Sequence, residues 1–322
     1  MNILMLSSLD QAANIVYQHM LPSPQLQWPL LSQHCGCEVW IKHENHNPTG
    51  AFKVRGGLVY LENLLVHEPD VTGIVTATRG NHGQSIAFAA ARHRVKAVIV
   101  VPEGNNPEKN LSMQALGAEL IVHGKDFDEA IPYTEVLAAE RQLHRMPSFH
   151  MDLVSGVATY ALEFFRAQPG LKRVYVPIGL GSGICGMVCA RNALGLETEI
   201  IGVVSGNADC YAQSFAAGHC IETTTANTLA DGMAVRVPNV EALEIIKANV
   251  TRIVSVDDEQ ILSAMSLYFS NTHNIAEGAG AAPLAALLKE KDLNSGVKVG
   301  LVLSGGNVDR GLYLRALSNQ RT

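Results

Sequence analysis

Short apolar runs, glycine-bearing turns and Ala- and Leu-rich stretches alternate along the chain, and this alternation constrains the fold most strongly. Several runs are apolar throughout, which is typical of strands buried on both faces of a parallel sheet. The pattern therefore predicts an α/β fold with doubly wound open sheets. The predicted strands are 38–44, 73–78, 97–102, 119–124, 173–179, 199–205, 252–256 and 297–304. The predicted helices include 84–94, 106–116, 127–143, 159–167, 186–194, 257–271 and 281–290.

Length and composition exclude several classes of protein. The 322 residues allow two domains. With 47% hydrophobic and 17% charged residues, the chain is too apolar to be disordered. The 24 basic and 30 acidic side chains give a net charge of −6, so we expect neither nucleic-acid nor membrane binding. The sequence shows no membrane span and no signal peptide, and we therefore predict a cytoplasmic protein.

The six cysteines and twelve histidines do not form a recognisable metal site. Cys35 and Cys37 are two residues apart, and Cys185 and Cys189 are four apart, which matches neither a zinc nor a thioredoxin pattern. We therefore predict reduced thiols and no bound metal.

Four segments that follow predicted strands are candidate ligand sites, because ligands of doubly wound folds bind at the carboxyl ends of the strands. The first is Asn-Pro-Thr-Gly-Ala-Phe-Lys, in which a helix is predicted to begin near Gly50 with Lys53 in its first turns. Burial and the helix dipole would both lower the pKa of Lys53, giving the neutral amine that a nucleophile needs. A surface lysine is the alternative.

The second segment, Thr-Arg-Gly-Asn-His-Gly over 78–83, lies between a predicted strand and an Ala-rich helix. Its glycines let the backbone approach a ligand closely, and the first amides of the helix are available to an anion. An ordinary turn in which Asn81 caps the helix is the alternative interpretation.

The third segment, Gly-Leu-Gly-Ser-Gly over 179–183, opens a helix and is typical of a backbone phosphate site. Gly181, Gly183 and Gly186 also satisfy the spacing of a dinucleotide-binding motif. That motif requires an acidic residue at the end of the next strand, where this chain has Ser205. Phosphate binding is therefore favoured over dinucleotide binding.

The fourth segment is Ser-Gly-Gly-Asn over 304–307, at the end of the last predicted strand. The Ser304 hydroxyl could meet a heteroaromatic nitrogen or simply cap the final helix. The residues alone leave both possibilities open.

Taken together and in this order, the four segments resemble those of the serine/threonine dehydratase family of pyridoxal-phosphate enzymes, which have the tryptophan-synthase-β type of fold (fold type II). The resemblance extends from about residue 26 to residue 317. It implies two doubly wound open-sheet domains with the cofactor, pyridoxal 5′-phosphate, in the cleft between them. We place the large domain at 1–69 and 149–322, and a smaller inserted domain at 70–148.

The resemblance also implies a role for each candidate residue. Lys53 would hold the cofactor covalently and act as the catalytic base, and Asn81 would bond its phenolic oxygen. Ser304 would face the pyridine nitrogen, and Glu277 would lie near the ring. The cofactor phosphate would be bound by Gly179, Leu180, Gly181, Ser182 and Gly183. The substrate carboxylate would be bound by Thr78, Arg79, Gly80, Asn81 and His82.

Two departures from the family pattern matter for function. Arg79 stands where many members have a serine, which serves in serine racemases as the opposite-face proton donor, so racemisation is disfavoured. An arginine there could take a second carboxylate or a polar tail of the substrate, or it could be an outward-facing, ion-paired side chain. Val204 and Cys210 stand where the racemase-like branch has acidic metal ligands, which again predicts no metal.

The implied activity is β-elimination, in which a 3-hydroxy amino acid such as L-threonine or L-serine is converted to a 2-oxo acid and ammonia. A small-molecule amino acid is therefore the expected partner, and a homodimer is possible because relatives are often dimers. A larger substrate remains open: phenylserine, hydroxyaspartate or a hydroxyectoine-derived amino acid. So do a β-replacement synthase of the cysteine-synthase type and a protein that binds the cofactor without turnover.

Overall fold

The computed structural model describes residues 4–125 and 127–318. The α-helices are α1 (Leu6–Tyr17), α2 (Pro29–Cys35), α3 (Lys53–His67), α4 (Asn81–His93), α5 (Pro107–Ala115), α6 (Phe127–Arg141), α7 (Met151–Ala167), α8 (Ser182–Ala193), α9 (Cys210–Ala217), α10 (Val240–Asn249), α11 (Asp258–Thr272), α12 (Gly278–Lys289) and α13 (Arg310–Ser318). The strands are β1 (Gln25–Gln27), β2 (Glu38–His43), β3 (Gly73–Ala77), β4 (Lys96–Val101), β5 (Glu119–Val122), β6 (His144–Arg145), β7 (Arg173–Pro177), β8 (Glu199–Ser205), β9 (Arg252–Val256) and β10 (Lys298–Leu303). Short 3₁₀ helices lie at Glu44–His46, Asp231–Met233 and Lys291–Asn294.

Within the described residues the strands form two open sheets. The larger has the order β1-β2-β10-β7-β8-β9, in which β1 is antiparallel to β2 and the remaining neighbours are parallel. The smaller is parallel throughout, with the order β5-β4-β3-β6. The predicted α/β class with doubly wound open sheets is therefore confirmed. Strands β1 and β6 were not predicted, because three and two residues without a β-branched run carry too little pattern.

Glycines explain why several helices begin earlier than the sequence predicts. Helix α7 begins at Met151 rather than at 159, and it contains Gly156. A Cβ at Gly156 would overlap the backbone carbonyl of Arg55, so this glycine lets α3 and α7 pack closely. A glycine inside a helical pattern weakens the helix prediction from sequence, although in this fold it is a site of close helix packing. Helix α8 likewise begins at Ser182 and includes Gly183.

The smaller sheet packs against its own helices and also against helices that precede it in the chain. Its strands lie between Gly73 and Arg145. The apolar cluster against this sheet also takes Val16 from α1 and Leu58 from α3. The domain boundaries at 69/70 and 148/149 thus remain a prediction, and the smaller sheet shares its core with helices outside the predicted insert. In the described part of the chain, no helix is long and apolar enough to cross a membrane.

Candidate functional site

An inner cavity of about 100 Å³ collects residues from three of the four predicted segments. Lys53 at the start of α3 lines it, as do the loop between β3 and α4 and Leu180 after β7. These positions follow strands of both sheets, as expected for ligand sites in doubly wound folds. The remaining wall is formed by Lys109 of α5 and by residues 231–235, together with Ala77, Phe127 and Ser148.

Lys53 is the first residue of α3 and is fixed by hydrogen bonds on both sides. The Phe52 amide donates to the carbonyl of Ser304 at 2.9 Å, and the Ser85 hydroxyl donates to the carbonyl of Lys53 at 2.6 Å. The Lys53 Nζ lies 4.9 Å from the centre of the Phe52 ring. Among the described residues this Nζ has neither a hydrogen-bond nor an ion-pair partner. Burial lowers the pKa of Lys53 to about 8, against a smaller opposing effect of Glu277.

A neutral amine is therefore accessible at Lys53 near physiological pH, as the sequence predicts. Because a nucleophilic amine must be unprotonated, this pKa suits Lys53 to covalent bond formation with a carbonyl group. A snorkelling surface lysine would keep its amine in water and its pKa near the ordinary value, which differs from the lowered pKa of Lys53.

The loop between β3 and α4 is organised by the Thr78 hydroxyl. Its Oγ1 accepts hydrogen bonds from the amides of Gly80 at 3.0 Å and Gly83 at 3.3 Å. His82 is deeply placed, and its Nε2 has no hydrogen-bond partner among the described residues. Burial and the neighbouring Lys53 lower the pKa of His82 to about 3, so its ring is neutral. An unpartnered buried nitrogen of this kind marks a place for a polar ligand.

Asn81 stands in a chain of side-chain hydrogen bonds that joins both sheets. Its Nδ2 donates to Glu277 Oε1 at 2.7 Å, and its Oδ1 accepts from Asn307 Nδ2 at 2.8 Å. Burial raises the pKa of Glu277, and Lys109 and the Asn81 hydrogen bond oppose this shift. Asn81 is thus a fixed donor and acceptor beside Lys53, and Glu277, predicted to lie near the ring, holds it in place.

The glycine segment forms a closely packed turn into α8. A Cβ at Gly179 would overlap the carbonyl oxygen of Gly232, and Gly181 has a φ of 109°, which disfavours any other residue. The Leu180 carbonyl accepts from the Tyr211 hydroxyl at 2.8 Å, and the Gly183 carbonyl accepts from the Tyr160 hydroxyl at 2.9 Å. With its carbonyls held by tyrosines, the turn leaves the first amides of α8, beginning with Ser182, for an anion.

Ser304 directly follows β10 and is buried next to the turn that carries Lys53. The two turns are joined because Ala51 forms an isolated bridge with Gly305, and the Gly306 amide donates to Gly50. The Ser304 hydroxyl has no hydrogen-bond partner among the described residues. It is free to donate to or accept from a ring nitrogen.

Two charged residues at the cavity were missed by the sequence analysis. Lys109 Nζ lies 3.0 Å from Asp231 Oδ2, and Arg79 Nη2 lies 4.0 Å from Asp231 Oδ1. Lys109 is buried although it stands in a polar helix. Its sequence surroundings, Pro-Glu-Lys-Asn, are those of a solvated helix start, so no local signal distinguishes it.

Val204 and Cys210 stand where the racemase-like branch has acidic metal ligands. Both are buried, and the Cys210 thiol donates to the carbonyl of Val235. In the described residues, no group of three or more His, Cys, Asp or Glu side chains could hold a metal ion. The prediction of no metal thus stays a prediction that nothing in this region opposes.

The residues fit pyridoxal 5′-phosphate, the cofactor that the sequence resemblance implies. Lys53 offers a neutral amine for its aldehyde, and the turn before α8 offers amides for its phosphate. Ser304 and Asn81 offer polar groups without charge for the ring nitrogen and the phenolic oxygen. A dinucleotide would also need an acid after β8, and that position is the buried Ser205.

Comparison with known proteins agrees with this chemistry. The family model described as pyridoxal-phosphate dependent enzyme matches residues 16–305. An L-threonine ammonia-lyase of Geobacter sulfurreducens is 36% identical over 282 residues, which are 86% of this chain and 69% of that protein. Threonine deaminase isoform 2 of Solanum lycopersicum, in its processed form, superposes with a TM-score of 0.90 at 27% identity, covering 98% of this chain and 94% of that one. Maize serine racemase superposes with a TM-score of 0.91 at 27% identity, covering 97% and 96%.

Proposed function

Because this chain belongs to the family of pyridoxal-phosphate dependent enzymes and takes that cofactor, we propose that it eliminates water from a 3-hydroxy amino acid such as L-threonine or L-serine. The enamine that is formed tautomerises to an imine, and water hydrolyses this imine to a 2-oxo acid and ammonia. The Geobacter sulfurreducens and Solanum lycopersicum relatives are a threonine ammonia-lyase and a threonine deaminase, which supports this reaction class. The observation that carries the proposal is the combination of an amine of lowered pKa at Lys53 with an uncharged hydroxyl at Ser304.

When bound, the cofactor withdraws electrons from the α-carbon of an attached amino acid and so acidifies its α-proton. Lys53 is the base that we assign to this proton, because its pKa of about 8 leaves a usable neutral fraction near pH 7. Ser304 offers a hydroxyl where an aspartate would keep the ring nitrogen protonated. A weaker electron sink favours prompt loss of the β-hydroxyl as water over transamination.

We assign the α-carboxylate of the substrate to the loop formed by residues 78–82. The amides at the start of α4 and the neutral His82 offer hydrogen bonds to an anion. Neutrality of His82 at the pH of the reaction follows from its pKa of about 3. Asn81 fixes the position of this loop through its hydrogen bond to Glu277, which is 2.7 Å long.

Racemisation is a competing activity, because maize serine racemase has a closely similar fold. A two-base racemase needs a group that can donate a proton to the face opposite the lysine. Arg79 is a poor donor because a guanidinium stays protonated in proteins. The elimination reaction is therefore the better-supported function.

The test is an assay of the purified protein with pyridoxal phosphate on a panel of 3-hydroxy amino acids, measuring 2-oxo acid and ammonia together. We expect both products in equal amounts, and none from the Lys53→Ala variant. Cysteine formed from O-acetylserine and sulfide without 2-oxo acid would instead support a β-replacement synthase. Cofactor absorbance without ammonia from any substrate would support a protein that binds the cofactor without turnover.

We also propose a cytoplasmic location and a homodimer. The location is supported by six free cysteines, of which five are buried. The dimer rests on the family resemblance, because relatives are often dimers, and exposed apolar side chains such as Leu30 and Leu314 are compatible with it. Sedimentation velocity would test the dimer, and a species of monomer mass at micromolar concentration would contradict it.

A further inference from the structure

A second cavity opens from the same wall as the inner one and is much larger, with a volume of about 590 Å³. The two cavities share six lining residues that mark their junction, Arg79, Phe127, Ser148, Leu180, Ala234 and Val235. Beyond the junction the outer cavity is lined by Thr224, Thr225 and Asn227 together with apolar side chains such as Ile131 and Val237. The methyl group of threonine would leave most of this space unused.

Arg79 stands at the junction with most of its hydrogen-bonding capacity unused. Its side chain is 44% exposed, and its contact with Asp231 is 4.0 Å long. No hydrogen bond of the Arg79 guanidinium is present among the described residues. A guanidinium has five N–H donors in a planar fork that matches a carboxylate, so this side chain can still bind an anion.

Three charged side chains lie close together at the junction. Asp231 is shared by Lys109, at 3.0 Å, and by Arg79, at 4.0 Å. One carboxylate thus faces two cations, and the shorter contact belongs to Lys109. The positive charge of Arg79 is the one left without a close partner in the described residues.

We propose that the substrate is a 3-hydroxy amino acid whose side chain carries a second anionic group, bound by Arg79 at the junction of the two cavities. This inference rests on the proposed function and names the substrate class of the same site. The α-carboxylate lies at the loop formed by residues 78–82. A second carboxylate attached to the β-carbon then reaches Arg79, which belongs to that loop.

The competing interpretation is that Arg79 only forms an ion pair with Asp231 and supports the wall. The two interpretations predict opposite effects of removing the Asp231 charge on the use of an anionic substrate. If Arg79 binds substrate, removing the Asp231 charge frees the guanidinium and removes repulsion, so an anionic substrate is used better. If the pair is only structural, removal of either partner damages the site in the same direction.

The experiment compares kcat/KM of the holoenzyme for 3-hydroxyaspartate with that for 3-hydroxyasparagine, its neutral isostere. We expect wild-type protein to prefer the acid by about 10- to 100-fold, the range of one charge-assisted hydrogen-bonded pair. Arg79→Ser should abolish this preference, and Asp231→Asn should increase it. Arg94→Ser removes an exposed arginine at the end of α4 and is the matched control, with the preference unchanged.

A preference that survives Arg79→Ser, or one that Arg79→Ser and Asp231→Asn both lower, would overturn the inference. Turnover of L-serine or L-threonine with no preference for the acid would also overturn it, while leaving the proposed function intact. Failure to release ammonia from any 3-hydroxy amino acid, with cofactor absorbance present, would instead refute the proposed function.

A binding measurement gives a readout that does not depend on turnover. We expect calorimetric titration of the holoenzyme with L-malate, a dicarboxylate without an amine, to show binding that weakens as salt increases. Arg79→Ser should reduce the affinity by about tenfold or more. Equal affinity of wild type and variant would contradict a carboxylate site at Arg79.

Discussion

Arg55, two residues after Lys53, belongs to a buried cluster of four charged side chains. Arg55 donates to Glu44 from Nε at 2.8 Å and to Glu163 from Nη1 at 2.6 Å, and Lys42 donates to Glu163 at 2.6 Å. Two cations thus balance two carboxylates. Burial by itself lowers the pKa of Arg55, but the two carboxylates raise it above its ordinary value.

The Arg55→Met variant removes one cation and leaves two buried carboxylates facing Lys42 alone. Breaking a buried pair by removing one partner costs about 3–5 kcal/mol. We therefore expect the free energy of unfolding to fall by about that amount, a large part of the roughly 5–15 kcal/mol of a typical protein. Adding Glu44→Gln restores neutrality, so the double variant should recover about 2 kcal/mol relative to Arg55→Met.

The assay is urea denaturation followed by far-UV circular dichroism and by fluorescence, with coincident transitions required. Arg315→Met is the matched control, because Arg315 pairs with Glu259 at 3.3 Å on the exposed surface. An exposed pair contributes about 0–1 kcal/mol, so the control should change little. A loss below about 1 kcal/mol for Arg55→Met, or no recovery in the double variant, would refute the electrostatic account of this cluster.

Three further predictions test the site and its scaffold. The rate at which apoprotein incorporates pyridoxal phosphate covalently should rise with pH, with a midpoint near pH 8 and a plateau above about pH 9, because the neutral fraction of Lys53 follows its lowered pKa of about 8. A midpoint near about pH 10, as for an ordinary lysine, would contradict this prediction. Gly179→Ala should weaken cofactor binding by at least about tenfold in an equilibrium titration, because its Cβ would overlap the carbonyl of Gly232. Gly206→Ala is the control and should bind the cofactor normally, since its Cβ would meet only a serine hydroxyl at 3.3 Å and a carbonyl at 3.7 Å. Gly156→Ala should lower the free energy of unfolding by about 1–3 kcal/mol, because its Cβ would overlap the backbone of a neighbouring helix. An unchanged thermal midpoint would contradict this prediction and show that the helix crossing tolerates a methyl group.

The sequence predicts the parts of the molecule in which local pattern and tertiary role agree. The strands β8 and β9 begin and end where the apolar runs predict. The four glycine-bearing segments, which predict the family and the cofactor, lie around one site because parallel strands place their carboxyl ends on one edge. Those predictions of family, cofactor and fold class are confirmed.

Other features depend on the arrangement of distant segments and have no local signal. Lys109 and Asp231 are 122 positions apart, and only the fold brings them together at the cavity. The buried cluster of Arg55 and Glu163 likewise joins α3 to α7. Conversely, Gly156 weakens the helix prediction around it, although the fold needs a glycine there for a close helix crossing.

The central claim is that Lys53 holds the cofactor, and borohydride reduction of the holoenzyme followed by peptide mass mapping tests it most directly. Reduction fixes the cofactor on the amine that binds it. We predict the label on Lys53 alone, and its loss in Lys53→Ala. Label on Lys42 or Lys109 in the wild type, or no stable label at all, would contradict the assignment of Lys53.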